Sequence, residues 1–266
     1  MVKNIRGLIT HALQGGRMRT PLVVLLSLAI ITGGVFIYNS ITAVGAIVPA
    51  SGGTNVSLDT TSAPGGSGAY TSLGGISIPE AAPGEIKLGV YTFNLPAGWE
   101  FDTLSPVTVS SNGTYMRWWP INPAPNAASF SFEIERASVS TPETILLSGL
   151  RVRPTGTTPL SNANIYMTCV NTTGTCGITG VTAGSGGTNF GTLSSVAGAA
   201  VRLSVTGTAT QTAGAGNELT ITAYDQFGNV ATGYTGGKNL TFSGLANSPD
   251  GNVPQVEGTN QGTPAA

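Results

Sequence analysis

Charged residues are scarce in this sequence, and the basic ones are unevenly placed. Only 9% of the 266 residues are Asp, Glu, Lys or Arg, against about 25% in an average soluble domain. Four of the eleven basic residues precede residue 20, and the part beyond residue 46 has seven basic and twelve acidic residues. Because nucleic-acid binding requires a basic patch that neutralises phosphates, this distribution argues against nucleic acid as a partner.

Histidine is nearly absent, since His11 is the one residue of this type. Without another histidine, neither a Ser-His-Asp nor a Cys-His arrangement can form in the body of the protein. The acid pairs Glu100/Asp102 and Glu133/Glu135 have the i, i+2 spacing that places strand residues on one face, and this pattern is typical of solvated surface. No phosphate-binding loop or nucleophile elbow occurs in a strand–turn–helix context. The sequence therefore predicts a protein that is not an enzyme.

Long apolar runs are also absent, except for one near the N-terminus. Residues 21–37, PLVVLLSLAIITGGVFI, carry no charge and are just long enough to cross a bilayer as a helix. The basic residues before this segment predict a cytoplasmic N-terminus if the segment is retained as an anchor that binds the membrane. Alternatively, it is a signal peptide that is cleaved near the small residues 43–46 (AVGA). Both interpretations predict export to the cell surface or the extracellular space.

Beyond residue 46 the apolar pattern has the two-residue period of strands rather than the period of helices. In FSFEIER, Phe130, Phe132 and Ile134 alternate with polar residues, and in LRVRP, Leu150 and Val152 alternate with arginines. In IKLGVYTFNL the pattern changes phase, which predicts a bulge near Gly89. Short strands separated by turns predict an all-β fold of antiparallel β-sandwich modules.

Changes in composition predict four segments. Residues 1–48 form a basic stub with the signal peptide or transmembrane anchor, and residues 49–78 are a Gly/Ser/Thr-rich linker or an irregular edge strand. Residues 79–194 form a first β-sandwich domain, and residues 195–266 form a second, incomplete domain.

The two cysteines lie on either side of a predicted hairpin loop, in YMTCVNTTGTCGIT. A metal site would need further ligands, and none is nearby. In an exported protein, Cys169 and Cys176 are therefore expected to form a disulfide, with two free thiols as the alternative.

The second domain carries a resemblance to a known family. Val201, Leu203 and Val205 alternate with polar residues, and Leu219 and Ile221 repeat the pattern, so one face of each strand is expected to be buried. The sequence LSVTG…AGAGNELTITAYDQFGNVATGYTG…LTFSG resembles the bacterial immunoglobulin-like repeats of cell-surface adhesins, related to invasin-type and filamin-like domains. The resemblance covers about residues 197–255 and implies an immunoglobulin-like fold. More loosely, LPAGWEF (95–101) and ILLSGLRVRPTGTTPL (145–160) resemble cohesin-like sandwiches, over about residues 79–180.

The second domain is shorter than an immunoglobulin-like unit, which has about 100 residues and seven strands. One interpretation is that the chain is part of a longer surface protein. The other is that a strand from a neighbouring molecule completes the domain, as in donor-strand complementation, which would make the protein a subunit of a filament, sheath or surface layer.

Two places are candidates for binding. Trp118 and Trp119 are adjacent, so on a strand only one can face the core; the other is expected to stack on a glycan or a partner protein, unless the proline-rich loop after it covers it. Asp225 with Asn229 is a weak candidate pair for calcium, although one acid per loop is a poor ligand set for a hard cation.

The stretch AYDQFGNV, around Asp225, has a simpler interpretation as a turn. Gly228-Asn229 suits the positive φ of a tight turn. Asp225 is expected to accept hydrogen bonds from the amides of the turn, and Phe227 is expected to cover the end of the module. Together, the features of the sequence predict a surface protein with a structural or adhesive role, which associates with itself, other surface proteins or glycans. A carbohydrate-binding module that uses Trp118 and Trp119 is the other alternative.

Overall fold

The computed structural model describes residues 46–120, 127–171, 176–210, 212, 215–256, 259–260 and 264–265. The hydrophobic segment 21–37, predicted to be a signal peptide or an anchor, lies outside these ranges. Among the described residues, no helix has the length and apolar character that a membrane span requires.

The prediction of an all-β fold with antiparallel sheets is confirmed. Apart from one 3₁₀ helix (Leu58–Thr60), the regular elements of the described chain are strands. In chain order these are β1 (Val56–Ser57), β2 (Thr71–Ser72), β3 (Ile76–Pro79), β4 (Gly89–Asn94), β5 (Trp99–Phe101), β6 (Thr108–Ser111), β7 (Arg117–Pro120), β8 (Ser129–Arg136), β9 (Thr144–Ser148), β10 (Arg151–Pro154), β11 (Ala163–Asn164), β12 (Tyr166–Asn171), β13 (Thr192–Leu193), β14 (Ser195–Val196), β15 (Arg202–Thr206), β16 (Thr220–Tyr224), β17 (Leu240–Thr241), β18 (Gln255–Val256), β19 (Thr259–Asn260) and β20 (Pro264–Ala265).

The largest sheet has four strands in the order β12-β4-β8-β7, all antiparallel. The predicted alternation in β8 is confirmed, because Phe130, Phe132 and Ile134 are buried. Aromatic rings fill the inner side of this sheet: Phe93 stacks on Phe130 with ring centroids 5.1 Å apart and meets Phe190 edge-on at the same distance. Offset and edge-on aromatic pairs stabilise a core beyond the area that they bury.

Two three-stranded sheets, β3-β9-β6 and β2-β10-β5, contribute to the same core. In β10, Val152 is fully buried and Leu150 just before it is 1% exposed, which confirms the predicted orientation of LRVRP. From β9, Ile145 and Leu147 add two more buried side chains. Residues 50–193 thus share one hydrophobic core, to which all three of these sheets contribute.

The segment 49–78 packs on this core. Leu58 is fully buried, and Ile76 and Ile78 are each 1% exposed. Both β2 and β3 are outer strands of their sheets. Strand β1 pairs in parallel with β14, 139 residues away, and Asn55 in this region donates its amide hydrogen to Ser194 Oγ. The segments that lead into and out of the core region therefore lie side by side.

The bulge predicted near Gly89 is wrong. Strand β4 begins at Gly89 and pairs without interruption with β8 and β12, while Leu88 before it is exposed. The register shift in this sheet lies instead between Arg117 and Trp118 of β7. The change of phase in the sequence marks the start of the strand, because Ile86 is buried from the loop that precedes it.

The predicted disulfide is confirmed, since Cys169 and Cys176 are bonded with their Cα atoms 5.6 Å apart. Cys169 belongs to β12, and Cys176 is buried in the core cluster. The bond therefore ties the chain after β12 back to the four-stranded sheet.

The second unit contains the antiparallel pair β15–β16 and the short pairs β17–β20 and β18–β19. The expectation of a buried face on β15 is wrong: Val201, Leu203 and Val205 are 64%, 44% and 53% exposed. Leu219, before β16, is also exposed. The alternation is present, but within the described part of the chain no second sheet packs on this face.

Candidate functional site

The two adjacent tryptophans face opposite sides of β7. Trp118 lies opposite Ile134 and packs against the core, whereas Trp119 lies opposite Glu133 and is 64% exposed. Strand β7 is the outer strand of its sheet, so the ring of Trp119 is accessible at an edge. The proline-rich loop that was the alternative cover for this ring includes residues 121–126, which lie outside the described residues.

Trp119 belongs to the solvent-facing side of the four-stranded sheet, here called the outer face. Across the sheet, Trp119, Glu133, Val90 and Val170 form one row. Val170 is 77% exposed and Glu133 is also exposed. This row combines an aromatic ring and aliphatic groups with a single carboxylate.

The next rows of the outer face are polar and uncharged. Thr92 Oγ1 and Ser131 Oγ lie 2.8 Å apart and share a hydrogen bond. One row further, the Asn94 side-chain amide donates to Thr168 Oγ1 at 3.1 Å. These cross-strand bonds hold the hydroxyl and amide groups in place on the polar part of the face.

A cleft of about 440 Å³ adjoins the far corner of this face. Its lining includes Leu95 and the polar side chains of Asn162, Asn164, Tyr166 and Ser185. Tyr166 lies in the same row as Asn94, so the outer face continues into the cleft. No feature of the sequence identified this cleft, because its residues come from three segments that are distant along the chain.

The Asp225–Asn229 pair forms a hydrogen-bonded corner. Asp225 is 1% exposed, and its Oδ1 accepts from the amides of Phe227 and Asn229 at 2.9 and 2.8 Å. Its Oδ2 accepts from the Gly198 amide and from Asn229 Nδ2, both at 3.0 Å. Gly228 has a φ of +88°, as the turn requires.

This geometry has a direct bearing on the calcium alternative. Asn229 directs its amide nitrogen, a donor, at the carboxylate where a cation would lie. Calcium takes six to eight oxygen ligands, and the four hydrogen bonds to Asp225 would have to break first. Among the described residues, no group of three or more His, Cys, Asp or Glu side chains is placed to hold a metal ion.

The same corner joins the second unit to the first. Asn229 Nδ2 also donates to the Thr157 carbonyl at 2.7 Å, and Asp59 Oδ2 accepts from the Ala199 amide at 2.9 Å. A Cβ at Gly198 would lie 2.2 Å from Asp59 Oδ1, so a larger residue there would displace the Asp59 side chain. Phe227 is half-buried, next to Gly65.

Two buried acids that the sequence did not single out hold loops of the first unit. Glu143 is 1% exposed and accepts from the amides of Tyr115 and Met116 at 2.7 and 3.0 Å. Glu80 is 4% exposed and accepts from the amides of Ile86 and Glu143, both at 2.9 Å. Each follows a proline at the end or start of a strand, which does not distinguish it in sequence from an acid in a surface turn.

In the first of the two i, i+2 acid pairs, each carboxylate has its own arginine partner. Glu100 pairs with Arg153 at 2.5 Å, and Asp102 pairs with Arg151 at 2.7 Å. The guanidinium of Arg153 also lies 4.1 Å from the ring centroid of Tyr70, a cation–π distance. Glu133 and Glu135 are both exposed on β8.

Burial alone raises the pKa of a carboxyl group, because it disfavours the charged form. In Glu143 this effect is outweighed by hydrogen bonds, chiefly from the Tyr115 amide and the Ser111 hydroxyl, so its pKa lies below the ordinary value. The same balance holds for Asp225, where Asn229 and Gly198 donate, and the pKa is again lowered. The pKa of Asp102 is lowered by Ser105, the Leu104 amide and Arg151 despite burial. These groups are ionised structural acids.

No protein-family model matches this sequence, and neither a curated protein nor a solved structure shows significant similarity to it.

Proposed function

We propose that this protein is an exported, non-enzymatic surface protein with a structural or adhesive role. In this proposal it consists of β-sandwich modules, of which the second, over about residues 197–255, is immunoglobulin-like. The all-β fold supports it, and so does the disulfide, because disulfides persist in oxidising compartments outside the cytoplasm. Residues 21–37 would direct export or anchor the chain in the membrane with a cytoplasmic N-terminus.

The observation that carries this proposal is the hydrogen-bonded corner at Asp225. One carboxylate holds the turn between β16 and the following chain, and it also holds Gly198 at the connection between the units. Asn229 extends the same set of bonds to Thr157 of the first unit. A fixed connection between successive β units is what a chain that displays or spaces modules outside a cell requires.

The environment of the acids supports a role without catalysis. The buried ones accept hydrogen bonds from backbone amides, and Glu100 and Asp102 are paired with arginines. A general acid or base needs a pKa near the working pH, whereas the pKa values of Asp102, Glu143 and Asp225 are lowered.

Protease treatment of intact cells tests this proposal. An epitope placed at Gly186, where an added side chain meets open space, is expected to be cleaved in intact cells, while a cytoplasmic protein in the same cells stays whole. Alkylation without reduction is expected to leave Cys169 and Cys176 unmodified. An epitope that is protected until the cells are lysed, together with alkylated cysteines, would refute export.

A second candidate function is assembly by β-strand exchange, and the exposed apolar side chains of β15 favour it. Val201 just before β15, and Leu203 and Val205 within it, are each at least 44% exposed. Strand β15 pairs with β16 alone among the described strands, and an edge strand of this kind readily adds another strand. Light scattering of the full chain in mild detergent is expected to show oligomers that Leu203→Ser weakens and Leu104→Ser, at a residue that is 91% exposed elsewhere, does not. A monomer at all concentrations would eliminate this candidate.

A further inference from the structure

The outer face of the four-stranded sheet brings an aromatic ring together with ordered hydroxyl and amide groups. Trp119 is 64% exposed at one edge, and the Thr92–Ser131 and Asn94–Thr168 pairs lie in the neighbouring rows. A hydroxyl has one donor hydrogen and two lone pairs. Each of the two pairs therefore retains hydrogen-bonding capacity after its internal bond is made.

This combination matches the chemistry of a sugar. The C–H groups of a pyranose ring form an apolar face that packs on an aromatic ring, while its hydroxyls need both donors and acceptors. Trp119 supplies the flat apolar surface, and the Thr, Ser and Asn groups supply donors and acceptors in fixed positions. A protein partner would instead be expected to pack on an apolar, aromatic-rich centre of the face, and here the central rows are polar.

The charges of the strands that form the outer face bear on the class of glycan. The charged side chains of β7 and β8 are Arg117, Glu133, Glu135 and Arg136, and all four are exposed. Arg117 lies two residues before Trp119 and pairs with Arg136 across the sheet. Two carboxylates and two guanidinium groups give no net charge, so this surface does not favour an anionic polysaccharide over a neutral one. The face is therefore compatible with a neutral glycan.

The dimensions of the face indicate a chain of sugars rather than a single ring. Trp119 lies on β7 in the row of Val90, and Tyr166 lies on β12 in the row of Asn94. The two rings are thus separated by three strand spacings and four residues along the strand, or about 20 Å on the diagonal. The cleft beside Tyr166, with Asn162, Asn164 and Ser185, extends this length.

From these observations we infer that the outer face binds a neutral polysaccharide chain. Trp119 stacks on one sugar ring, the Thr92–Ser131 and Asn94–Thr168 pairs bond to hydroxyls along the chain, and the cleft beside Tyr166 receives a further unit. This gives the adhesive role a ligand class, and to that extent it rests on the proposed function.

Retention of the full chain on polysaccharides tests the inference. The protein, in mild detergent, is passed over microcrystalline cellulose, chitin and insoluble xylan, with polygalacturonate as the anionic comparison. Retention is expected on at least one neutral polymer, without a preference for polygalacturonate. Trp119→Ala is expected to weaken retention about tenfold, as the loss of an aromatic residue that anchors a ligand does, and Trp119→Tyr is expected to restore most of it.

Leu104→Ala is the matched control, because Leu104 is an apolar residue that is 91% exposed away from the outer face. Retention that is lost equally in both variants would indicate non-specific adsorption and overturn the inference. So would a lack of retention on every neutral polymer, or a preference for polygalacturonate. If Trp119→Ala instead abolishes self-association without any polysaccharide binding, the face is a protein interface and the inference is wrong.

The binding assay is independent of where the protein resides in the cell. Absence of polysaccharide binding by a chain that protease treatment finds outside the cell would refute the inference and leave the proposed function standing. Polysaccharide binding by a chain that protease treatment finds inside the cell would support the inference and refute the proposed function.

Discussion

Replacing Asp225 by asparagine should loosen the second unit from the first. The side chain is 1% exposed and accepts four hydrogen bonds, two at each oxygen. In Asp225→Asn one oxygen becomes an NH₂ group, which faces two donors and cannot accept from them. Hydrogen bonds to a charged group contribute about 1.5–3 kcal/mol each. The loss of two such hydrogen bonds costs about 3 kcal/mol, which raises the equilibrium constant for local opening roughly 150-fold.

Hydrogen exchange at the amides of Gly198, Phe227 and Asn229 measures this directly. Their protection is expected to fall by about two orders of magnitude, while protection in β4 and β8 of the first unit stays unchanged. Asp250→Asn is the control, because it removes the same charge from an exposed side chain. Equal protection in Asp225→Asn and the wild type, or an equal loss in Asp250→Asn, would refute the role given to this carboxylate.

The pH dependence gives an independent check on the same group. Burial alone raises the pKa of Asp225, but the hydrogen bonds from Asn229, Gly198 and Phe227 hold it below the ordinary value of 3.8. A lowered pKa in the folded state stabilises the fold fully above the unfolded-state pKa, and this contribution is lost as the pH falls below it. The difference in protection between wild type and Asp225→Asn should therefore be constant from about pH 5 to 8 and shrink below about pH 4.

Three further predictions concern the first unit. Glu143→Gln is expected to lower the free energy of unfolding of the first unit by about 2–4 kcal/mol, since this buried acid accepts hydrogen bonds from the amides of Tyr115 and Met116. Chemical denaturation followed by tryptophan fluorescence measures this change. An equal effect of Glu135→Gln, at an exposed acid, would contradict the prediction. Reduction of the Cys169–Cys176 bond should lower the free energy of unfolding by about 2.5 kcal/mol in the chain-entropy model, because the bond closes a loop with a sequence separation of 7. A melting temperature that dithiothreitol does not change would count against this prediction. The melting temperature should also fall as the pH drops below about 4. The pKa values of Asp102 and Glu143 are lowered in the folded state, so the stability that these ionised groups contribute is lost when they are protonated. A melting temperature that rises towards acid pH would refute this prediction.

Features encoded within a few residues could be predicted from the sequence. The alternation of Phe130, Phe132 and Ile134 identified the buried side of β8. The spacing of Cys169 and Cys176 predicted their bond. The turn around Asp225 was also predicted, because an Asp followed by Gly-Asn contains both the acceptor and the residue that adopts positive φ. In each case the interacting groups are close along the chain.

Features that depend on distant partners could not be predicted in this way. The oxygens of Glu80 accept from Ser138 and from the Glu143 amide, 58 and 63 residues away. Nothing local distinguishes this buried acid from a solvated one. The cleft beside Tyr166 has the same origin, since its lining combines residues near 95, 162 and 185.

The second unit shows a different limit of prediction from the sequence. A two-residue period predicts which side chains share a face, but it does not reveal what packs on that face. On β15, Leu203 and Val205 do point to the same side, yet both are exposed. Burial depends on a second layer, which the alternation within one strand does not encode.

The parallel pairing of β1 with β14 has a mechanical consequence. Ala50 bridges Gly191 in parallel, and Val56 and Ser57 pair with Ser195 and Val196. Tension applied to the chain before residue 50 and after residue 196 pulls these adjacent strands in opposite directions along their length. Their hydrogen bonds, including Val56 N to the Ser194 carbonyl and Ser194 N to the Gly53 carbonyl, are then strained together in shear. The first unit would resist stretching until these bonds fail as a group, rather than unzipping one bond at a time.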